Sequence, residues 1–484
     1  MRALSAGIQR LAARAAILGC ALSLFAGLAM QAHAREPAAA SAATARSAEP
    51  NTRVPAGDRR HAASAYPDRI VVTPGEDGAT SFAVAWRTDA RLSAPLLEIA
   101  PADDSPDIAG GNARRVVATT AALRTRNGRA HSHRADVDGL QADTLYVWRV
   151  QGRGTWSPWF QLRTAPAADA PLALLYFGDA QNQNTSLVTR VVREARRHAP
   201  DARLALFAGD LVAGGGAGMG DDDDQWGEWF EAASGLPEDI ATAPAAGNHE
   251  YHEEHEDTPR ERRVLSPHWA RSFALPRNGA PGVEATSYWF DYGPARVAVL
   301  DGTAILDLDT GTAQAAWLAR VFGNTPPGRW RIVLLHQPLY ALRADRDYAA
   351  LREHLVPVLR AQRVDLVLQG HDHGYGRRPL DPGVATPQLV VSVAGAKQYR
   401  LGPTALATMA PVAEDTQLFQ LLRLDGGTLH YEARTASGRL YDAFELRTGD
   451  DGTRSLVEIG QGRIAPRRCM RLETLKGRDD RCWE

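Results

Sequence analysis

The sequence lacks an excess of either charge. It has 55 lysines and arginines against 57 aspartates and glutamates, for a net charge of −2 over 484 residues. Proteins that bind nucleic acid or anionic membranes usually carry a strongly basic balance, so neither partner is expected here. Apolar residues make up 44% of the chain and charged residues 23%, as in an ordinary globular protein. The length allows two or three domains.

Cysteine is also scarce, with three in the whole chain. Cys20 lies near the N-terminus, whereas Cys469 and Cys482 lie close together near the C-terminus. In an oxidising compartment such a pair usually forms a disulfide bond, and we predict one here. Two free thiols are the alternative.

Long apolar runs are limited to one, at the N-terminus. Three arginines between residues 2 and 14 precede an apolar stretch over 15–30, and Ala32-His33-Ala34 follows as a small-x-small cleavage site. This pattern predicts a signal peptide over 1–34 and a periplasmic or secreted protein. An uncleaved anchor is the alternative, although the stretch is short for a membrane span. No second run approaches that length, so the mature form is expected to make no membrane contact.

The next segments differ in composition. Residues 35–65 are rich in Ala, Arg, Ser and Pro without periodicity, which predicts a disordered linker. Residues 66–166 contain short strand-like runs such as 81–86 and 145–150, separated by turn residues. This spacing is typical of a small all-β sandwich of the fibronectin type III kind, with Trp86 in its core.

Between residues 170 and 447 the runs become continuously apolar and alternate with helical patterns. Such runs are typical of strands buried on both faces, and their alternation with helices indicates a layered α/β domain. Helices are predicted over 186–198 and 347–363, the second interrupted at Pro357. The tail, 448–484, is expected to be peripheral.

Each of five apolar runs is followed by one or two side chains of a type that binds metals. These side chains are Asp179, Asp210, Asn248, His336, and the pair His371 and His373 after the last run. Ligands gather beyond the carboxyl ends of such strands, so these side chains are expected to meet at one edge. Mixed Asp, Asn and His donors suit Fe, Mn or Zn better than Ca or Mg.

The motifs around these residues resemble those of a known family. They are Gly178-Asp179, Gly209-Asp210-Leu211, Gly247-Asn248-His249-Glu250, His336-Gln337-Pro338-Leu339-Tyr340 and Gly370-His371-Asp372-His373. In this order, over residues 66–446, they resemble the purple acid phosphatase branch of the calcineurin-like metallophosphoesterases. The resemblance implies an α/β fold: a four-layer metallophosphoesterase β-sandwich flanked by helices, preceded by a small fibronectin-like module.

The resemblance also implies roles for these residues around two metal ions. Asp179 and His373 would bind the first ion, Asp210 would bridge both, and Asn248, His336 and His371 would bind the second. A metal-held hydroxide would then hydrolyse a phosphate monoester. Asn248 and His249 would contact the substrate, with His249 also giving a proton to the leaving group. The alternative is that His249 only supports Asn248.

The sequence departs from the family at two positions. Gln181 stands where many metallophosphoesterases have His, and Ala213 stands where purple acid phosphatases have Tyr. Without a phenolate, a divalent pair such as Mn, Zn or Fe is favoured over Fe³⁺ with a divalent ion. Gln181 or a water would complete the first site. Lys397 and Tyr399 are candidates for reaching the substrate, and the acidic run 221–224 is interpreted as a solvated loop.

Three functions remain open at this point. The first is an exported phosphomonoesterase, the second is a phosphodiesterase or nucleotidase with the same site, and the third is a binding or adhesion protein with a degenerate site. The intact His249 and the His371-x-His373 pair argue against the third. The expected partner is a small phosphate ester, and the sequence leaves the oligomeric state open.

Overall fold

A computed structural model describes residues 54–55, 57–108, 113–214, 223–255, 258–470 and 479–483. The predicted signal peptide and residues 35–53 of the predicted linker lie outside this part of the chain. From residue 57 onward the chain packs on the protein. Arg60 pairs with Glu231, and His61 is buried. The linker therefore ends before residue 65, because this arginine and histidine have partners far along the chain.

The first module is an all-β sandwich of two four-stranded antiparallel sheets, as predicted. One sheet has the order β1-β2-β6-β5 and the other the order β4-β3-β7-β8. The strands are β1 (Asp68–Pro74), β2 (Phe82–Thr88), β3 (Leu96–Pro101), β4 (Arg114–Val117), β5 (Thr119–Thr125), β6 (Gly128–Val137), β7 (Leu145–Val150) and β8 (Phe160–Arg163). Trp86 and Trp148 are buried between the sheets, which confirms the core position predicted for Trp86.

Strand β2 is buried on both faces, because it serves two cores. Phe82, Val84 and Trp86 fill the sandwich. Ala83 and Ala85, which point the opposite way, join the core of the domain that follows. Successive side chains of a strand alternate between its faces, so large residues line one face and alanines the other. The small side chains allow the second domain to pack closely against the sandwich.

The second domain is built on two seven-stranded sheets. Their orders are β11-β10-β9-β22-β23-β24-β25 and β14-β15-β16-β17-β19-β18-β21. Their strands, together with those of two two-stranded sheets, are β9 (Leu172–Phe177), β10 (Leu204–Phe207), β11 (Ala241–Pro244), β12 (Tyr251–Glu254), β13 (Arg262–Leu265), β14 (Tyr288–Tyr292), β15 (Ala295–Val299), β16 (Trp330–Leu334), β17 (Leu366–Gln369), β18 (Tyr375–Pro379), β19 (Gln388–Val391), β20 (Gln398–Tyr399), β21 (Val412–Ala413), β22 (Leu418–Asp425), β23 (Thr428–Thr435), β24 (Leu440–Thr448), β25 (Arg454–Glu458) and β26 (Arg481–Trp483). Side chains from both sheets share one core, among them Tyr176 and Phe207 of the first and Ile332 and Leu368 of the second.

Helices pack against the two sheets, and one of them, at residues 269–272, packs against the sandwich. They are α1 (Thr189–His198), α2 (Asp223–Ala233), α3 (Trp269–Ser272), α4 (Gly302–Asp307), α5 (Gly311–Gly323), α6 (Ala349–Ala361) and α7 (Pro403–Thr408). Leu318 of α5 and Leu355 of α6 pack on Val333 and Val367 of the second sheet. Within the described residues, no helix combines the length and the apolar character that a membrane span requires.

The predicted interruption at Pro357 is wrong, because α6 continues through this residue. A proline inside a helix leaves the carbonyl four residues earlier without its usual donor. Both Pro357 and Glu353, which carries that carbonyl, are exposed, so water can hydrate the freed oxygen. The helix is also held by Leu351, Leu355 and Leu359, which are buried against the second sheet.

A buried carboxylate at the start of α2 joins the two domains. Asp223 is fully buried, with Oδ1 2.7 Å from Arg69 Nη1 and 3.2 Å from Arg87 Nη1. Asn127 donates hydrogen bonds to Asp223 and Asp224 at 3.1 and 2.6 Å. Burial raises the pKa of Asp223, but the two arginines outweigh it and lower the pKa below its usual value.

The interpretation of this acidic run as a solvated loop is therefore wrong for Asp223 and Asp224; residues 221 and 222 lie outside the described part. The sequence around residue 223 contains only the acidic partners of these ion pairs. The compensating arginines belong to β1 and β2, more than a hundred residues earlier in the chain.

The tail is less peripheral than the sequence predicts. β25 extends the first sheet, and β26 pairs with β20. A disulfide joins Cys469 and Cys482, which confirms the predicted bond. Near it, Arg343 Nη2 lies 2.8 Å from Asp480 Oδ2. The tail thus lies against β20, a short strand beside the candidate site described below.

We predict that Asp223→Asn lowers the free energy of unfolding by about 3–5 kcal/mol, because two buried arginines lose their shared countercharge. Thermal and urea denaturation would measure the loss. Glu231→Gln is the matched control: its pair with Arg60 is partly exposed, so at most about 1 kcal/mol is expected. Equal losses in both variants would show that the buried network does not hold the domains together.

Candidate metal centre

The metal-binding side chains predicted from the sequence follow strands of both sheets. Asp179, Asp210 and Asn248 follow β9, β10 and β11, which are neighbours in the first sheet. His336 follows β16, and the His371-x-His373 segment follows β17, in the second sheet. The side chains meet where the carboxyl ends of these two strand groups face each other. The expectation that all these side chains meet at one edge of a single sheet is therefore wrong, because the site lies between two sheets.

One group of donors converges on His336 Nε2. This atom lies 3.1 Å from Asp210 Oδ2, 3.2 Å from Asn248 Oδ1 and 2.9 Å from His371 Nδ1. The other ring nitrogen, Nδ1, donates to the Ala208 carbonyl at 2.7 Å. This contact fixes the ring and leaves Nε2 directed at the other donors, as in a metal-binding histidine.

A second group lies on the other side of Asp210. Asp179 Oδ1 lies 3.6 Å from His373 Nε2, and His373 Nδ1 donates to the Lys397 carbonyl at 3.0 Å. Gln181 Nε2 lies 2.7 Å from Asp210 Oδ2 and 3.1 Å from His373 Nε2. Rotating this amide by half a turn would place Oε1 at the same point, which is the orientation that a cation requires. Gln181 therefore lies where the sequence predicts a supplement to the first site.

The donor atoms fit two cations that share Asp210. One atom each from Asp210, His336 and His371 lie within 4.8 Å of one another, and so do atoms of Asp179, Asp210 and His373. Asp179 Oδ1 and Gln181 Oε1 are buried without a hydrogen-bond partner in the described part of the chain. Buried polar atoms are costly unless they are bonded, and a cation in the Asp179 group would bond Asp179 Oδ1 and, once its amide is rotated, Gln181 Oε1.

Electrostatics also indicates a missing positive charge. Burial raises the pKa of Asp179 well above its usual value, since desolvation and Asp210 outweigh His336. Burial alone would lower the pKa of His336, but the Asp210 and Asp179 carboxylates raise it to about 9. In the protein alone, a proton on His336 thus supplies the charge that the carboxylates require. Metal ions would supply the same charge and leave the imidazole neutral.

Glycines in the motifs allow the loops to approach this closely. A Cβ atom on Gly247 would collide with Asp210 Oδ1, and one on Gly370 would lie 2.5 Å from Asp179 Oδ2. Any larger residue at either position would push a carboxylate away from the donor cluster. The glycines that precede Asn248 and His371 are therefore part of the site.

Glu250 orients the bridging residue, a role that sequence reasoning missed. Its side chain is fully buried and accepts hydrogen bonds from the backbone N–H groups of Asp210, Leu211 and Gly247 at 2.9, 2.8 and 2.7 Å. Burial and the Asp210 charge raise the pKa of Glu250 to about 7. Its place beside His249 was the available signal, but only the fold shows that it ties the loop after β10 to the loop after β11.

Asp372 orients the loops that carry the histidines, and sequence reasoning missed this role too. This buried carboxylate accepts from the Leu342 N–H at 2.6 Å and from Arg346 Nη1 at 3.0 Å. The Arg346 guanidinium also lies 3.4 Å from the His371 carbonyl. Asp372 therefore fixes the loop after His336 against the two histidines that flank it in sequence.

His249 lies at the open side of the cluster. Its Nδ1 donates to the Ala213 carbonyl at 2.5 Å, and its Nε2 lies 3.8 Å from Asp210 Oδ2. Its backbone N–H also donates to Asp210 Oδ1 at 2.9 Å. The side chain is 24% exposed, whereas that of Asp210 is 1% exposed. Nε2 is thus the ring atom directed at the space where a ligand would enter. Ala213 contributes only a backbone carbonyl, which positions this ring.

Comparisons with known proteins agree with the fold and the motifs. Residues 67–164 match the purple acid phosphatase N-terminal domain, and residues 172–375 match the calcineurin-like phosphoesterase domain. The chain therefore contains a calcineurin-like phosphoesterase domain behind a purple acid phosphatase N-terminal domain, as the motifs predict.

Curated relatives are similar at moderate identity. An uncharacterized protein of Mycobacterium tuberculosis is 27% identical over 346 residues, covering 64% of this chain and 62% of the relative. Purple acid phosphatase 23 of Arabidopsis thaliana is 24% identical over 275 residues, covering 51% and 57%. Purple acid phosphatase 1 of Ipomoea batatas is 24% identical over 327 residues, covering 64% of each. The chain thus spans about three fifths of the length of these relatives.

Solved structures share the fold. A purple acid phosphatase from yellow lupin (Lupinus luteus) seeds aligns with a TM-score of 0.64 at 19% identity, covering 78% of this chain and 74% of that one. A structure of PhoD aligns with a TM-score of 0.56 at 13% identity, covering 83% and 95%. The predicted α/β fold with an all-β module in front is confirmed.

We predict that Asp210→Asn removes most of the bound metal. Asparagine keeps the size of the side chain and tolerates the positive φ of 48° at this position, but it lacks the charge that two cations would share. Metal content of the purified variant would measure the effect. Asp201→Asn is the control, because Asp201 pairs with Arg423 at the surface. Unchanged metal content in Asp210→Asn would contradict a bridging role.

For Glu250→Gln we expect metal affinity to fall by about 10- to 100-fold, the usual effect of losing a group that orients a ligand. An amide cannot accept from three N–H groups with both of its heavy atoms, so the Asp210 loop would shift. Competition with a chelator would measure the affinity. Glu253→Gln, which alters a partly exposed pair with Arg263, should leave it unchanged. Wild-type affinity in both variants would show that Glu250 is dispensable.

Proposed function

We propose that this protein is a binuclear metal-dependent phosphomonoesterase. The observation that carries the proposal is the position of Asp210, which lies in both groups of potential metal ligands. Asp179 and His373 would complete one ion's donors, and Asn248, His336 and His371 the other's. A bound metal pair supplies an activated water and the positive charge that phosphoryl transfer to water requires.

The side chains beside the cluster would bind the ester and move a proton. His249 is held by the Ala213 carbonyl through Nδ1, so Nε2 is the atom that would contact a phosphoryl or leaving-group oxygen. Asn248 adjoins it and would direct its amide to the same side. Asp179, Asp210, His336 and His373 are buried. Asn248, His249 and His371 are partly exposed, which favours entry of the ester from their side.

The test uses p-nitrophenyl phosphate and bis(p-nitrophenyl) phosphate with metal-loaded protein. Preferential hydrolysis of the monoester supports the proposal. Preference for the diester would replace it with a phosphodiesterase of the same site. Hydrolysis of neither ester, with metals bound, would favour a binding protein.

Export is part of the proposal. The disulfide between Cys469 and Cys482 is consistent with an oxidising compartment, and the N-terminal pattern described above is that of a signal peptide. We therefore place the mature protein in the periplasm or outside the cell. N-terminal sequencing of the protein recovered there should find Arg35 first; an intact Met1 on cell-associated protein would contradict export.

We predict that His249→Ala keeps its metals but lowers kcat by about 10²- to 10⁴-fold, the range for a lost general acid. A monoester with a poor leaving group should lose more activity than p-nitrophenyl phosphate, whose leaving group barely needs a proton. Comparing kcat for the two esters would measure the difference. An equal loss on both would assign His249 to charge stabilisation instead.

A further prediction concerns the metals. Ala213 provides no phenolate for ferric iron, so we expect a colourless enzyme with a divalent pair such as Mn, Zn or Fe. Divalent ions acidify water less than ferric iron does, and activity should therefore peak at neutral or mildly alkaline pH. Metal analysis, a visible spectrum and a pH–rate profile would check this. Bound ferric iron with an optimum near pH 5 would contradict it.

A further inference from the structure

Lys397 lies on the loop that supports the first group of donors. Its carbonyl accepts the hydrogen bond from His373 Nδ1 at 3.0 Å. Two residues later, the Tyr399 N–H donates to the His373 carbonyl at 3.1 Å, and the two rings meet edge to face with centroids 5.3 Å apart. The loop is fixed from its other side by β26, which pairs with Gln398 and Tyr399. The backbone of Lys397 is therefore held in place beside the site.

No residue in the described part of the chain pairs with the Lys397 ammonium group. Among the described residues it forms no ion pair or hydrogen bond, and its neighbour is the Tyr399 ring, with Nζ 5.4 Å from the centroid. Arg346, a cation beside His371, differs in this respect, because Asp372 binds it at 3.0 Å. A lysine without a carboxylate partner beside a partly buried site can bind an anionic group of a ligand.

The Tyr399 ring connects the ammonium group with the donor cluster. This ring contacts the His373 ring and also the Lys397 ammonium group. His373 forms a group of potential metal ligands with Asp179 and Asp210. The Lys397 ammonium group therefore lies near the first group of donors.

The choice of lysine is itself informative. Lys397 and Lys476 are the only lysines among the 55 basic residues of the chain, which otherwise uses arginine. Arginine suits planar, bidentate contacts, whereas the lysine ammonium is a compact point charge with three rotatable donors. Such a group can follow one oxygen of a tetrahedral phosphate. Composition alone would have placed arginine at this position.

We propose that Lys397 binds a non-bridging oxygen of the substrate phosphoryl group and makes the site selective for monoesters over diesters. This inference rests on the proposed hydrolase function. A monoester offers three non-bridging oxygens and close to two negative charges at neutral pH. A diester offers two such oxygens and one charge, because the third oxygen carries a second substituent. An additional cation beside the metal donors therefore favours the monoester.

The test compares Lys397→Met with the control Lys476→Met in metal-loaded protein. For Lys397→Met we expect kcat/KM on p-nitrophenyl phosphate to fall by about 10- to 100-fold, as when a hydrogen bond to a charged group is lost. Activity on bis(p-nitrophenyl) phosphate should fall by a clearly smaller factor, because the diester carries only one negative charge. Calorimetric binding of inorganic phosphate should weaken by a similar factor. Lys476→Met should match the wild type in all three measurements.

A second readout is independent of turnover. Inorganic phosphate should protect Lys397, but not Lys476, from acetylation in the metal-loaded wild-type protein, as measured by peptide mass spectrometry. Metal content and thermal stability of Lys397→Met should equal those of the wild type.

Three results would overturn the inference. They are wild-type monoester kinetics and phosphate binding in Lys397→Met, equal losses on both esters, and loss of metal or stability in that variant, which would make the residue structural. If the wild type hydrolyses neither ester, the proposed function fails. Phosphate binding and protection of Lys397 would then still report on the site, so the two failures are distinguishable.

Discussion

The structure of the site depends on holding two buried carboxylates, Asp179 and Asp210, against the imidazoles of His336, His371 and His373. Asp179 and Asp210 are both almost completely inaccessible, and Asp210 lies between the two groups of donors. Carboxylates buried this deeply are unfavourable unless cations or N–H groups bind them. The protein supplies N–H groups from the His371 and His249 backbones, but leaves Asp179 Oδ1 without a hydrogen-bond partner in the described residues. A metal ion between Asp179 and His373 would bond this oxygen, and a second ion would share Asp210.

Much of the surrounding fold holds these groups at the required separations. Glu250 connects the loops after β10 and β11, and Asp372 connects the loop after β16 with the histidines after β17. The sandwich packs its alanines against the same core, with Asp223 paired to its arginines. The tail strand β26 fixes the loop that carries Lys397. Residues far from the donors thus contribute to their positions.

The sequence predicted the parts of this arrangement that have local signatures. Continuous apolar runs located the strands, and the motifs at their ends identified the side chains that the structure brings together, because each of these side chains follows its strand closely in the sequence. What it missed depends on pairings between distant segments. Asp223 and Asp224 resembled a solvated loop because their arginine and asparagine partners lie in the sandwich. Likewise, Glu250 and Asp372 acquire their roles through contacts with loops that lie far from them in the sequence. At Pro357 the sequence predicted a helix interruption that does not occur. The position is exposed, so water can hydrate the carbonyl that proline leaves without a donor.

The central claim is that Asp210 bridges two metal ions. Its most direct test is a crystal structure of the purified protein with anomalous diffraction recorded at the absorption edges of the bound metals. The account predicts two metal peaks separated by about 3.5–4 Å, the usual spacing of paired catalytic ions, with the Asp210 carboxylate between them. His336 and His371 should bind one ion, and Asp179 and His373 the other. A single peak, or two peaks without Asp210 as a common ligand, would contradict it.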